Sequence, residues 1–178
     1  MKFRPVLGLF AFLLVFGIQN ALAASVNIVA LGASWTYGSG REGGKGSRIT
    51  GVDRNEAYPA LLEALLKTRG IDAHVSNAGV PGDSTDGMYS RLNSAVPDGT
   101  QLVILEIPIQ HENGATNENV AKMVSALNGR HINVVVLAAS MKKLSSELRD
   151  GVVHPNARGQ AVLAARLLPK VIAALGRK

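Results

Sequence analysis

The sequence predicts a single α/β domain built on a parallel β-sheet with helices on both faces. Two observations carry this. Short β-rich runs and longer helical patterns alternate from Ala24 onward, the order that winds strands into a parallel sheet. The strand-like runs are also apolar at successive positions, as in "QLVILEI" (101–107), which marks strands buried on both faces. The stretch contains no internal repeat, and its length suits one ordinary domain.

Residues 1–23 read as a secretory signal peptide preceding that domain. Lys2 and Arg4 form a basic start, 6–18 is an almost uninterrupted apolar stretch, and Ala21-Leu22-Ala23 is a small-x-small cleavage signal. The apolar run falls short of the roughly 20 residues of a spanning helix. The expected mature chain is exported, periplasmic or secreted, and carries no stable membrane anchor.

The elements of the domain, 24–178, follow in order. "VNIVAL" (26–31) reads as a buried strand. "EAYPALLEALLKTRG" (56–70) has helical spacing and ends on Gly70, a good C-terminal stop. "IDAHVSNAG" (71–79) is a second strand running into a turn, and "STDGMYSRLNSAV" (84–96) is a helix opened by Ser84 or Thr85. "QLVILEI" (101–107) and "INVVVLAAS" (132–140) are strands separated by the helix "NENVAKMVSALNGR" (117–130). The chain closes with a long amphipathic helix over 156–176, with Asn156 as N-cap and Pro169 inside it.

Composition removes several function classes. The formal charge of +6 falls to +4 once Lys2 and Arg4 are cleaved away. The remaining basic residues are scattered, apart from a small cluster at Arg41, Lys45, Arg48 and Arg54. Aromatic residues do not interleave with them as a nucleic-acid groove requires, so no nucleic-acid partner is expected. Cysteine is absent, which excludes thiolate nucleophiles and Cys-ligated zinc. His111-Glu112 begins a metal-binding pattern that fails because residue 115 is Ala. No metal and no organic cofactor is expected.

Between the first strand and first helix lies "GSGREGGKGSRITG" (38–51). Its glycines tempt two phosphate-binding readings. "GSGREG" fits G-x-G-x-x-G but starts well past the strand, and "GGKGS" has Gly46 where a P-loop has Ser or Thr after the lysine. A flexible rim loop fits better.

In open α/β sheets the site lies beyond the carboxyl ends of the strands. The first strand offers Ser34 there, the second Asn77 and Gly79, the third Gln110 and His111, and the segment before the last helix Asp150 and His154. A serine hydroxyl becomes a nucleophile when an imidazole takes its proton, and a carboxylate on the far ring nitrogen fixes the tautomer. Backbone N–H groups at Ser34 and Gly79 could hold a developing oxyanion. Taken alone, Ser34 and Asp150-Gly151 also suit ordinary turn chemistry, and His74 and His131 read as strand and loop residues. Trp35, Tyr37 and Met88 suit either an acyl pocket or core packing.

Four blocks, "VALGASWTYG", "VSNAGVPGDSTDGM", "LVILEI" and "DGVVHPNARGQ", resemble in order the sequence blocks of the SGNH, or GDSL-type, hydrolases. The likeness is greatest to their exported arylesterase, thioesterase and lysophospholipase branch. The resemblance implies a flavodoxin-like three-layer α/β/α sandwich that hydrolyses small-molecule esters or thioesters through an acyl-serine. It implies Ser34 as nucleophile, His154 as base, Asp150 as the acid that orients it, and Gly79 as an oxyanion donor. Trp35 is placed at the substrate.

Three departures stand out. Gly32-Ala33-Ser34 replaces Gly-Asp-Ser. Pro108-Ile109-Gln110-His111 replaces Gly-x-Asn-Asp, so the amide of Gln110 stands for the family's asparagine in the oxyanion hole. Asp150 and His154 are separated by three residues where the family has two; either the extra valine bulges and Asp150 still reaches the ring, or His154 lacks its acid. The expectation taken is the bulge, with Gly151 easing it. The rival reading is a catalytically impaired ligand-binding protein on the same fold. Acyl length, leaving group and oligomeric state are not legible.

Overall fold

The computed structural model describes residues 25–42, 48–108, 114–139 and 144–176. The expected leader and Gln110 lie outside them. In chain order the first half comprises β1 (Val26–Gly32), α1 (Ser34–Tyr37), β2 (Ser39–Glu42), β3 (Arg48–Gly51), α2 (Tyr58–Thr68) and β4 (Ala73–Gly79). The second half comprises α3 (Thr85–Ser90), α4 (Leu92–Ala95), β5 (Leu102–Ile107), α5 (Gly114–Gly129), β6 (Asn133–Ala138), β7 (Arg149–Asp150), β8 (His154–Pro155) and α6 (Ala157–Ala174).

The main sheet has the order β4-β1-β5-β6, with every pairing parallel. Alternate residues of a strand point to opposite faces, and both faces here are apolar. β1 sends Ile28 and Ala30 into the core shared with α2 and α6, where Leu62, Leu66, Leu163 and Leu167 meet them. Val29 and Leu31 go the other way, to Met88, Leu92, Met123 and Leu127. Each such fully buried side chain stabilises the fold by about 1.5–3 kcal/mol. The result is the expected three-layer sandwich. Its first crossover goes to one side of β1 and its second to the other, so a crevice opens beyond the carboxyl ends of β1 and β5.

Local signals explain the helix ends. Gly70 takes a positive φ of 71° just past α2, a conformation glycine adopts without steric cost. Ser84 caps α3 by accepting the Gly87 N–H at 3.1 Å, and Asn156 caps α6 by accepting the Gly159 N–H at 3.0 Å. Pro169 sits inside α6 without ending it. The single helix expected over 84–96 is two short ones, α3 and α4, because Arg91 leaves helical geometry (φ −101°, ψ 9°). Its guanidinium reaches Asp83 and the carbonyls of Ala78 and Gly32, tying together the carboxyl ends of β1 and β4.

The segment 38–51, expected as a flexible rim loop, contains a β-hairpin. β2 and β3 pair antiparallel, with Gly40 opposite Thr50 and Arg41 opposite Ile49. The polar, glycine-rich composition hid a pairing whose reason lies at the site below.

Candidate active site

Ser34 is the first residue of α1, a single helical turn leaving the end of β1. So short a helix cannot hold itself, and the surrounding structure fixes it at both ends. At its start, the carboxylate of Glu106 accepts from the backbone N–H of Ala33 (2.9 Å) and Thr36 (2.8 Å) and from the Thr36 hydroxyl (2.6 Å). At its end, the Asn77 amide donates to the carbonyl of Thr36 at 2.7 Å. Glu106 is fully buried, and that burial pushes its carboxyl above the usual range against the pull of those hydrogen bonds. Gly32 makes the approach possible, since a Cβ there would overlap both Thr36 and Glu106. Tyr58 extends the network through its hydroxyl, 3.0 Å from Thr36 Oγ1, and burial raises its phenol far above the usual value.

His154 lies in β8, opposite Asp150 in the two-residue β7–β8 ladder. It is buried, with 3 % of its surface exposed. The Trp35 indole N–H donates to the carbonyl of Val153 at 2.8 Å, holding the histidine's segment against α1. Asn156 fixes the other side, its amide donating to the carbonyls of Glu147 and Arg149.

Ser34 and His154 both flank Gly40. A Cβ placed on that glycine would stand 2.5 Å from His154 Nε2 and 3.1 Å from Ser34 Cβ. A side chain at this position would press on both Ser34 and the His154 imidazole. Both residues line a cavity of about 600 Å³, together with Trp35, Tyr37, Ile49 and Gly82. That size falls within the range of small-molecule sites.

The remaining expectations fare differently. Asp150 stands opposite His154, and its carboxylate accepts from the Arg48 guanidinium and from the Gly51 N–H. The Nδ1 atom of His154 lies 2.5 Å from Thr50 Oγ1. With Asp150 four residues before the histidine, its carboxylate meets the end of β3, and Thr50 occupies the place beside the ring. Gly79 does not line the cavity. Its N–H is donated to Asn77 Oδ1 at 3.0 Å, and its missing side chain lets β4 pack against the backbone of Tyr37. The glycine of the same block that does line the cavity is Gly82, with a φ of 79°. Among the described residues, neither the Ser34 nor the Gly82 N–H has a protein acceptor.

Trp35 and Tyr37 line the cavity, whereas Met88 is core. His74 pairs with Glu63 at the far end of β4. Arg54 lies over the Tyr37 ring, 5.3 Å from its centre, and reaches the carbonyl of Asn77.

Glu106, Thr50, Gly40 and Gly82 escaped the sequence reading. Glu106 had a visible signal, a lone carboxylate inside an otherwise apolar strand, and such a buried charge requires partners. Thr50 had none, since nothing in "SRITG" marks its hydroxyl.

No family model matches the chain, and neither does any curated protein. Solved structures do. The crystal structure of TesA is 17% identical, with a TM-score of 0.68, covering 83% of this chain and 99% of that one. AlinE4, an SGNH-hydrolase family esterase, is 23% identical with a TM-score of 0.56, covering 86% and 75%. The psychrotrophic esterase EstA from Pseudoalteromonas sp., in a structure inhibited by monoethylphosphonate, is 14% identical with a TM-score of 0.66, covering 85% and 99%. The chain therefore has the three-layer α/β/α fold of these structures.

Proposed function

We propose that this chain is an exported serine hydrolase that cleaves small acyl or aryl esters, or thioesters, through an acyl-serine. The observation that carries the reading is that Ser34 and His154 line one cavity of about 600 Å³, with His154 Nε2 and Ser34 both beside the bare Gly40. The fold and the leader-like residues 1–23 support it.

In this mechanism Ser34 Oγ attacks the carbonyl carbon while His154 Nε2 takes the hydroxyl proton. The negative charge that develops on the carbonyl oxygen is met by the N–H of Ser34 and of Gly82, donors fixed before the reaction begins. As the tetrahedral intermediate collapses, the bond to the alcohol or thiol breaks, and His154 passes its proton to that leaving group. Water then attacks the acyl-serine, His154 taking its proton and returning it to Ser34 as the acid departs. Trp35 and Tyr37 form apolar walls for the acyl or aryl group, and no cofactor is required by this chemistry.

The test is hydrolysis of p-nitrophenyl acetate and butyrate by the mature protein beside Ser34→Ala. Loss of turnover in the variant supports the reading. Equal rates in both proteins overturn it and leave ligand binding on this fold.

A further inference from the structure

The hairpin β2–β3 touches both nitrogens of one imidazole. Gly40 and Thr50 face each other in its register, and directly opposed residues of an antiparallel pair project to the same face. His154 lies across that rung. Nε2 sits against Gly40, which has no side chain to block Ser34, and Nδ1 sits 2.5 Å from the Thr50 hydroxyl. Thr50 itself is 4 % exposed, so its hydroxyl meets the ring out of reach of bulk water.

We infer that Thr50 is the positioning residue of His154, taking on the hairpin the orienting place that a carboxylate fills in a serine triad. The proposal rests on the hydrolase reading and goes beyond it. A hydroxyl oxygen can accept a hydrogen bond from the Nδ1–H, and in that tautomer Nε2, beside Gly40, is the unprotonated nitrogen. Asp150 acts one step further out, on Gly51 and Arg48 of the same strand, and thereby holds the hairpin in place. Orientation of the base and seating of the hairpin over the cavity are then one event. A hydroxyl carries no charge to balance the imidazolium, so this arrangement orients the base without the full electrostatic help of an acid.

The experiment compares wild type, Thr50→Val, Thr50→Ser and Asp150→Asn. Valine keeps the shape of threonine and removes the acceptor. It should lower kcat about 10- to 100-fold with KM nearly unchanged. Serine restores the acceptor and should bring kcat back to within about threefold of wild type. Asp150→Asn should cost less than Thr50→Val, because an amide oxygen can still accept from Gly51. A fall of about 10⁴-fold in Asp150→Asn beside a near-normal Thr50→Val would overturn the proposal; so would a serine variant as slow as the valine.

Nitrogen-15 NMR of His154 supplies a readout independent of turnover. Wild type and Thr50→Ser should show a protonated, hydrogen-bonded Nδ1 that is altered in Thr50→Val. An unchanged Nδ1 signal in the valine variant contradicts the inference. If wild type hydrolyses nothing, the function reading fails while this spectrum still decides the role of Thr50.

Discussion

Glu106→Leu tests whether a buried carboxylate holds the turn that carries Ser34. Leucine fills much of the same space but accepts nothing. The Thr36 hydroxyl keeps Tyr58 as a partner, whereas the N–H groups of Ala33 and Thr36 lose the acceptor now 2.9 and 2.8 Å away. A buried donor left unpaired costs about 1–3 kcal/mol, so the pair costs about 2–6 kcal/mol. Relief of the carboxyl's own desolvation draws the total toward the lower end. Even that is a large share of the usual 5–15 kcal/mol of a folded domain. Urea unfolding followed by circular dichroism reads the stability, and ester turnover reads the displacement of Ser34, for which a shift of about 1 Å costs about 10²-fold. A variant within about 1 kcal/mol of wild type, with normal turnover, would refute the reasoning.

Other consequences are equally direct. Gly40→Ala keeps an ordinary backbone but places a methyl against His154 Nε2 and Ser34; turnover should fall at least about 10²-fold with little change in melting, and an active alanine variant would contradict the site geometry. Gly79→Ala should instead destabilise by more than about 1–3 kcal/mol, since the new methyl overlaps the Tyr37 backbone; a thermal melt equal to wild type would count against that packing. Trp35→Phe removes the indole donor to Val153 and should cost about 1 kcal/mol in urea melts together with a drop in kcat. The Glu106 carboxyl, raised by burial, binds its proton more tightly in the folded state. Its contribution is therefore full below the ordinary carboxylate range and is lost as pH rises toward the folded-state value. Glu106→Gln should flatten that falling limb, and identical stability–pH slopes in the two proteins would contradict it.

How much of this was legible in the sequence varies with the length of the signal. Three of the parallel strands carry unbroken apolar runs, 28–31, 102–105 and 134–138, and such runs announce burial whatever surrounds them, whereas β4 mixes His74, Ser76 and Asn77 among its apolar residues. Gly70 and Asn156 were legible because a cap depends on one residue's local chemistry. The β2–β3 hairpin was not, since its pairing is stabilised by contacts from distant residues, His154 and Asp150, rather than by its own alternation of polar and apolar positions. The site followed the same division. Ser34 and His154 could be named because each lies where a strand or helix boundary places it at the sheet's carboxyl edge. The partner of Nδ1 could not, because one extra residue before His154 sends the Asp150 carboxylate to the end of β3 and brings Thr50 from a hundred residues away. Gly79 and Gly82 stand three apart in one turn, and only the observed hydrogen bond of Gly79 to Asn77 tells which faces the cavity.

The most direct test of the central claim is fluorophosphonate labelling of the mature protein, followed by mass mapping of the adduct. The account predicts one phosphonate on the peptide containing Ser34, absent from Ser34→Ala and slowed in His154→Ala. An unlabelled wild-type protein, or an adduct on any other residue, would contradict it.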